Sequence, residues 1–240
     1  MIFISFYAFF IFLPYHKRDH IFSFRKRGLI MTAVKHEWRK HEKELYCPKQ
    51  KAVQVTVPSM KFLVLDGAGN PNHAAFSDDI EALYSLSYGI KMLPKKGVTP
   101  DGYFDYTVYP LEALWKQIKH TEQFDKNNLQ YRVMIRQPDF LTPDVLEAAI
   151  VNVSKKKSLP RFKDVRLESI EDGDCVQILH VGPYDDEPES FMKVDEFCFA
   201  HNLQRANNEW HREIYLSDAR KVEPAKLKTV LRVQVKSMQF

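Results

Sequence analysis

The two halves of this 240-residue sequence repeat one order of secondary-structure signals, and that repeat limits the possible folds more than any other feature. Each half reads as a strand, a glycine turn, a helix and two further strands, because strand-like runs alternate with segments of helical periodicity. The signals lie at 60–70, 77–92, 103–115 and 129–140, and again at 175–184, 188–201, 211–219 and 227–236. The sequence therefore predicts an α+β fold built from two tandem copies of one module.

A short echo marks the repeat, between "TVYPLEA" starting at Thr107 and "EIYLSDA" starting at Glu213. Tyr109 aligns with Tyr215, and Glu213 stands where the first copy has Thr107. Since side chains alternate along a strand, Glu213 and Tyr215 share one face, and the aliphatic residues beside them are expected to face the helix of their own module. We expect Thr107, Tyr109, Glu213 and Tyr215 to line a groove between the modules. The alternative places Glu213 on a solvated strand face, where most glutamates lie.

Local signals place several helix starts. The charged stretch 35–46 holds no glycine or proline and predicts a short, mostly solvated helix. Ser77, followed by two aspartates, is a candidate N-cap for the first long helix. Thr142 followed by Pro143 predicts the start of another helix, because proline suits the first helical position.

The segment "DGAGNPN" matches a dinucleotide-binding loop only in part. Gly67 and Gly69 follow a strand, but Asn72 occupies the place of the third glycine and no parallel βαβ pattern follows. We therefore assign both glycines to a turn. The sequence also holds no P-loop, no G-x-S-x-G and no H-E-x-x-H, so neither a cofactor nor a metal is predicted.

Charge and cysteine usage exclude further classes of function. The 31 acidic residues nearly balance the 35 basic ones, and the net charge of +4 gives no strong positive bias, so no direct nucleic-acid binding is expected. The three cysteines are far apart and form no CxxC pair. This usage is typical of a reduced, cytoplasmic protein without structural zinc.

The first thirty residues differ from the rest of the chain. Their run of about thirteen apolar residues is shorter than the roughly 20 needed to cross a bilayer, so no stable membrane span is predicted. Positive charges follow the run instead of preceding it, unlike a secretory signal, and Met31 is the predicted natural start. The predicted organisation is an extension outside the fold, a lead-in helix with a linker, and one domain of two modules, at 1–30, 31–56, 57–157 and 158–238.

Aromatic and histidine side chains near the echoed strands are further candidates for a ligand site. In "HVGPYDDEP", His180 could act as a base and Tyr184 as a hydrogen-bond donor, although a glycine-proline turn before a helix also explains the segment. Tyr103, Trp115 and Trp210 lie near the strand ends. They are candidates for lining a pocket for a flat or cationic ligand, or else they belong to the core.

These features together resemble the GyrI-like small-molecule-binding family. The duplicated module, the "HVGPY" turn and the glutamate of "HREIYLSDA" agree in order with that family over about 57–235, and "GYFDYTVYPLEALW" and "MIRQPDF" are similar to segments of its standalone members. The resemblance implies two strand-helix-strand-strand modules (SHS2-like) with pseudo-twofold symmetry, a mainly antiparallel sheet and a ligand groove between the modules. It also implies that an acidic residue at the place of Glu213 meets the ligand or activates water.

The resemblance implies two readings of the groove. In the first, the protein is a hydrolase that opens cyclopropane rings of hydrophobic DNA-alkylating compounds, with Glu213 as general base, Tyr109, Tyr184 or Tyr215 as hydrogen-bond donors, and Trp115 and Trp210 stacking on an aromatic substrate. In the second, the protein binds aromatic or cationic drugs without chemistry, or acts like a gyrase inhibitor or regulator. The predicted catalytic residues are Glu213, Tyr109 and Tyr215, and the predicted substrate-binding residues are Thr107, Tyr103, Trp115, Tyr184, Trp210 and His180.

Overall fold

A computed structural model describes residues 34–119, 125–207 and 209–238, so the apolar run at 1–13 and the predicted start at Met31 lie outside the described residues. The helices are α1 Trp38–His41, α2 Lys43–Tyr46, α3 Ala74–Lys91, α4 Pro143–Ser154 and α5 Glu187–Ala200. The strands are β1 Val53–Val57, β2 Met60–Ala68, β3 Leu111–Gln117, β4 Leu129–Gln137, β5 Arg166–Ile170, β6 Gly173–Val181, β7 Leu203–Arg205, β8 His211–Tyr215 and β9 Lys228–Ser237. None of the helices in this part of the chain is long and apolar enough to cross a membrane.

One antiparallel sheet carries the fold. Its strand order is β1-β6-β9-β8-β3-β4-β2-β5, with β7 paired to β9, and every one of these strand pairs is antiparallel. The predicted α+β class with a mainly antiparallel sheet is confirmed. The strands on the two sides of the β3–β8 pair follow mirrored orders. Read outward from the pair, one side is β8, β9, β6 and the other is β3, β4, β2. That order suits a duplicated module, and the duplication itself stays a prediction.

The bounds of β3 and β8 do not follow the alignment of the echo. Ala113 lies opposite Glu213, and Leu111 lies opposite Tyr215. Tyr109 lies before β3 begins, so it does not occupy the position in its strand that Tyr215 occupies in β8. The predicted strand over 103–115 is therefore wrong in its first half, because Pro110 has no N–H to donate to a ladder and the strand begins after it.

Glu213 lies on the face of the sheet that the long helices cover. It shares this face with Trp115 of β3, whose ring is 5.4 Å from that of Phe76 on α3, and with His211 of β8, whose ring is 5.1 Å from that of Phe191 on α5. The expectation that Ile214 faces the helix was wrong. Glu213 faces it, and hydrogen bonds satisfy its carboxylate there.

The segment before the sheet covers the opposite face. The predicted solvated helix over 35–46 is instead two four-residue helices, and Trp38 and Tyr46 are buried. The Trp38 indole donates to the carbonyl of Val108 at 3.1 Å, and the Tyr46 hydroxyl lies 3.4 Å from the carboxylate of Glu112. The fold therefore uses this segment as a cover for the sheet.

Two of the predicted helix starts have different outcomes. The Thr142 hydroxyl accepts the Val145 N–H at 3.3 Å and Pro143 opens α4, as predicted. α3, however, begins after His73, and Ser77 lies inside it with its hydroxyl donating to the carbonyl of Ala74 at 2.7 Å. The proposed cap at Ser77 was wrong because a serine within a helix can bond back to its own turn.

Gly67 is a strand residue and not a turn residue. It lies within β2, opposite Tyr131 of β4, and a Cβ atom there would approach the Tyr131 ring to 2.2 Å. Tyr131 has little freedom to move, because it is buried and its hydroxyl donates to Asp79 at 3.0 Å. Gly69 has a φ of +104° and makes the turn as predicted.

We expect Gly67→Ala to lower the free energy of unfolding by about 1–3 kcal/mol, because the added methyl group overpacks the core against Tyr131. Chemical denaturation of the full chain measures this. Gly69→Ala is the matched control: its new Cβ meets no atom within 4 Å, so it reports the backbone cost alone. Unchanged stability in Gly67→Ala would show that Tyr131 moves aside freely.

Candidate active site

A cavity of about 410 Å³ opens where β3 begins and β8 ends. It is surrounded by one face of α3 along most of the helix, by the loop 107–110, by the segment 216–219 and by α1. Its walls are mainly aromatic and aliphatic, with five tyrosines, and its volume is within the roughly 300–1,000 Å³ typical of small-molecule sites. The tyrosines are Tyr84, Tyr88, Tyr109, Tyr184 and Tyr215.

Tyr215 connects the cavity to Glu213. Its hydroxyl donates to Glu213 Oε2 at 2.6 Å and accepts from the Trp115 indole at 2.9 Å. His211 Nε2 lies 2.8 Å from the other carboxylate oxygen. Glu213 itself is 0% exposed and does not line the cavity, so it lies one side chain behind the wall. Burial, and then the charge of Glu213, raise the pKa of Tyr215 well above its usual value, so this phenol keeps its proton.

A second cavity tyrosine, Tyr109, also donates its hydroxyl hydrogen to a carboxylate that has a histidine beside it. The Tyr109 hydroxyl donates to Glu42 Oε1 at 2.7 Å, and His36 Nε2 lies 2.8 Å from the same oxygen. Arg136 is ion-paired with Glu42 and lies 4.6 Å over the Tyr109 ring. Burial of the Glu42 carboxylate opposes its ionisation, but the hydrogen bonds from Tyr109 and His36 and the charge of Arg136 outweigh this and lower its pKa.

The two carboxylates behind the cavity differ in charge compensation. Glu42 is held by an arginine, whereas among the described residues no lysine or arginine lies within 4.0 Å of Glu213, whose ion-pair partner is His211. Taking a proton at Glu42 would give up its pairing with Arg136. Glu213, in contrast, has an imidazole and not a guanidinium beside it.

A third carboxyl group, Glu187, lies close to Glu213. It is the first residue of α5, is 4% exposed, and its Oε1 has no hydrogen-bond partner among the described residues. Burial, and then the negative charge of Glu213, raise the pKa of Glu187 well above its usual value. The environment thus keeps Glu187 neutral.

The structure brings together six of the nine predicted site residues. Thr107, Tyr109, Tyr184 and Tyr215 line the cavity, and Glu213 and Trp115 lie directly behind Tyr215. The rings of Tyr184 and Tyr215 meet edge to face, with centroids 6.1 Å apart. The carboxylate of Glu213 and the indole of Trp115 thus lie one layer behind the cavity wall, and the ligand groove between modules stays a prediction.

The other three predicted residues lie elsewhere. The Tyr103 hydroxyl donates to the carbonyl of Lys91 at 2.9 Å, and the ammonium of Lys116 lies 4.8 Å over the Trp210 ring. His180 lines a separate, smaller cavity. None of the three is part of the large cavity wall.

Sequence reasoning missed Glu42, Glu187 and Trp38. Glu42 lies 94 positions from Arg136, and no local pattern indicates that pairing. Glu187 belongs to an acidic run, and such a run is expected to be exposed and to favour a helix start. The sequence therefore holds no sign that the carboxyl group of Glu187 is buried. Trp38 was the one sequence signal that the segment 35–46 covers the core, because a tryptophan in a charged stretch indicates a buried helix face.

Comparison with known proteins identifies the family. A family model for the GyrI-like small molecule binding domain matches residues 51–236. The chain belongs to this family. A crystal structure of a hydrolase from Listeria innocua is 36% identical, with a TM-score of 0.80 over 85% of this chain and 100% of that one. An uncharacterized conserved protein from the same organism is 38% identical, with a TM-score of 0.78 over 84% and 100%. None of the curated proteins matches the chain.

We expect the wild type to lose stability relative to Glu187→Gln as the pH rises above about 4.3, the usual pKa of glutamate in an unfolded chain. The folded pKa of Glu187 is raised, so the folded state holds this proton more tightly than the unfolded chain, and deprotonation favours unfolding. The slope of the difference is at most about 1.4 kcal/mol per pH unit and vanishes above the folded pKa.

Chemical denaturation of both proteins from pH 4 to pH 9 measures this difference. Glu189→Gln is the matched control, since Glu189 is an exposed glutamate in the same helix turn. A Glu187→Gln curve parallel to that of the wild type would contradict the buried, neutral carboxyl group.

Proposed function

We propose that the protein is a hydrolase that binds a hydrophobic aromatic small molecule in the large cavity and opens an activated cyclopropane ring by adding water. The observation that carries this is the contact between the cavity phenol of Tyr215 and the buried, arginine-free carboxylate of Glu213. Membership of a small-molecule-binding family and similarity to a structure described as a hydrolase support the proposal. Its role would be detoxification of DNA-alkylating compounds in the cytoplasm.

Tyr215 and Glu213 act as a base through two steps of proton transfer. A water in the cavity attacks the strained ring carbon and gives its proton to the Tyr215 oxygen, while the Tyr215 hydroxyl proton passes to Glu213 Oε2, which lies 2.6 Å from the Tyr215 oxygen. The new C–O bond forms as the ring C–C bond breaks. The released electron pair moves through the conjugated system to the substrate carbonyl oxygen. General base catalysis of this kind contributes about 10²–10⁴ in rate.

Tyr184 is assigned to the carbonyl that gains this charge. Tyr109 and Tyr215 direct their hydroxyl hydrogens at carboxylates. Burial, and then the charge of Glu213, raise the pKa of Tyr184, so its hydroxyl keeps the proton that it would donate. A hydrogen bond to the developing oxyanion stabilises the transition state. The oxyanion then takes a proton from solvent and Glu213 releases one, so one water is added overall.

A binding protein without chemistry is the second candidate. The observation that favours it is the complete burial of Glu213, which gives a ligand no direct contact with the carboxylate. In this case the tyrosines and Trp38 supply stacking surface, and the negative charge behind them favours a cationic aromatic ligand through cation–π attraction. The two candidates use the same cavity and differ in turnover.

The test is single-turnover conversion of a cyclopropane-bearing compound of the duocarmycin type, with the ring-opened, water-added product followed by mass. We expect Tyr215→Phe and Glu213→Gln to lower the rate by about 10²–10⁴, because each interrupts the proton relay. Tyr109→Phe is the matched control. It removes the equivalent hydroxyl beside Glu42 and should change the rate only a few-fold.

Each outcome separates the two candidates. Product formation that depends on Tyr215 and Glu213 but not on Tyr109 supports the hydrolase. Equal losses in Tyr215→Phe and Tyr109→Phe would contradict the asymmetry of the two carboxylates. Tight binding without product in the wild type would make the protein a binding module.

A further inference from the structure

A second cavity, of about 230 Å³, lies beside α5 and shares no lining residue with the large cavity. Side chains from the end of β6 and from the first two turns of α5 form most of its wall, and most of its surface is polar. Two of these side chains, His180 and Ser190, are buried, at 4% and 6% exposure. The function proposed above makes no use of this cavity.

The hydrogen bonds of His180 fix where its proton lies. Nε2 is 3.0 Å from the carbonyl oxygen of Pro183, and Nδ1 is 3.0 Å from Ser190 Oγ. A carbonyl oxygen can only accept, so Nε2 must carry a hydrogen. In the neutral imidazole Nδ1 is then an acceptor, and the Ser190 hydroxyl donates to it.

The Ser190 hydroxyl, the His180 imidazole and the Pro183 carbonyl thus form a chain of two hydrogen bonds. In this chain the carbonyl orients the imidazole, which can act as a base toward the hydroxyl. The same three roles define an activated nucleophile, with the Pro183 carbonyl here as the orienting acceptor. If Nδ1 also takes a proton, the Nε2 hydrogen bond to Pro183 remains in place. The imidazole can therefore gain and lose a proton at Nδ1 without moving.

We propose that Ser190 and His180 form a second, acyl-transfer site that hydrolyses small, neutral carboxylic esters. The limit on size follows from the cavity volume, which is below the roughly 300 Å³ of typical ligand pockets. The charged side chains in the wall are Lys193, Asp186 and Glu189. The two carboxylates disfavour an anionic substrate, and we assign Lys193, one helical turn after Ser190 in the same wall, to the oxyanion of the tetrahedral intermediate.

The reaction balances in two steps. Ser190 Oγ bonds to the ester carbonyl carbon as its proton moves to His180 Nδ1, and the tetrahedral intermediate expels the alcohol, which leaves with that proton. A water then attacks the acyl-serine, giving one proton to Nδ1, and the carboxylic acid leaves as Ser190 Oγ takes the proton back. The net reaction is ester plus water to acid plus alcohol.

The experiment is to label the full chain with a fluorophosphonate probe, locate the modified peptide by mass, and measure hydrolysis of 4-nitrophenyl acetate. We expect the label on Ser190 in the wild type and in Ser158→Ala, a control that removes an exposed serine. Label and ester hydrolysis should both be lost in Ser190→Ala. His180→Gln should label at least about 10²-fold more slowly, the usual minimum contribution of a general base.

The wild-type result decides the proposal even if a variant fails to fold. No label on Ser190, or a label on another residue that persists in Ser190→Ala, would overturn it. A folded His180→Gln that labels as fast as the wild type would also overturn it, because the histidine would then serve only to hold the turn. None of these outcomes bears on ring opening in the large cavity.

Discussion

The antiparallel pairing of β3 with β8 is the interaction on which the rest of the structure depends. It joins the two halves of the sheet, and charged side chains from both strands are buried on its two faces. On one face Arg212 of β8 bonds Glu112 of β3 at 2.7 Å, together with Asp172 at 2.7 Å. On the other face Glu213 lies opposite Ala113. Because a buried charge without partners costs several kcal/mol, the register of this pair is fixed by the partners that each charge finds.

The two faces of the β3–β8 pair compensate their buried charges in different ways. The Arg212 face is neutralised by an ion-pair network, which suits a structural role. The Glu213 face leaves two carboxyl groups, Glu213 and Glu187, near each other without an arginine or lysine among the described residues, and one of them stays protonated. Burying two carboxyl groups side by side costs stability, and the hydrogen bond that Glu213 accepts from Tyr215 offsets part of that cost. The position of this pair beside an aromatic cavity is the strongest physical argument for chemistry there.

The fold was predictable where local signals were sufficient, and the site was predictable only in part. Thr142 and Pro143 set the start of α4, and the strand signal over 227–236 matches β9. The face of Glu213 was misjudged because β8 is covered on both sides, so alternation does not say which side meets a helix. Glu42 was not predictable, since its role depends on contacts with residues far along the chain.

The difference between Thr107 and Glu213 in the echo also has a physical explanation. Both cavity tyrosines of the echo need an acceptor for a buried hydroxyl hydrogen. Tyr215 finds it two residues back on its own strand, in Glu213. Tyr109 lies outside a strand and finds it in Glu42, from the segment that covers the sheet, together with Arg136. One half therefore pairs its carboxylate with an arginine and the other pairs it with the imidazole of His211, and this asymmetry, more than the cavity itself, is the basis for proposing proton transfer at Tyr215.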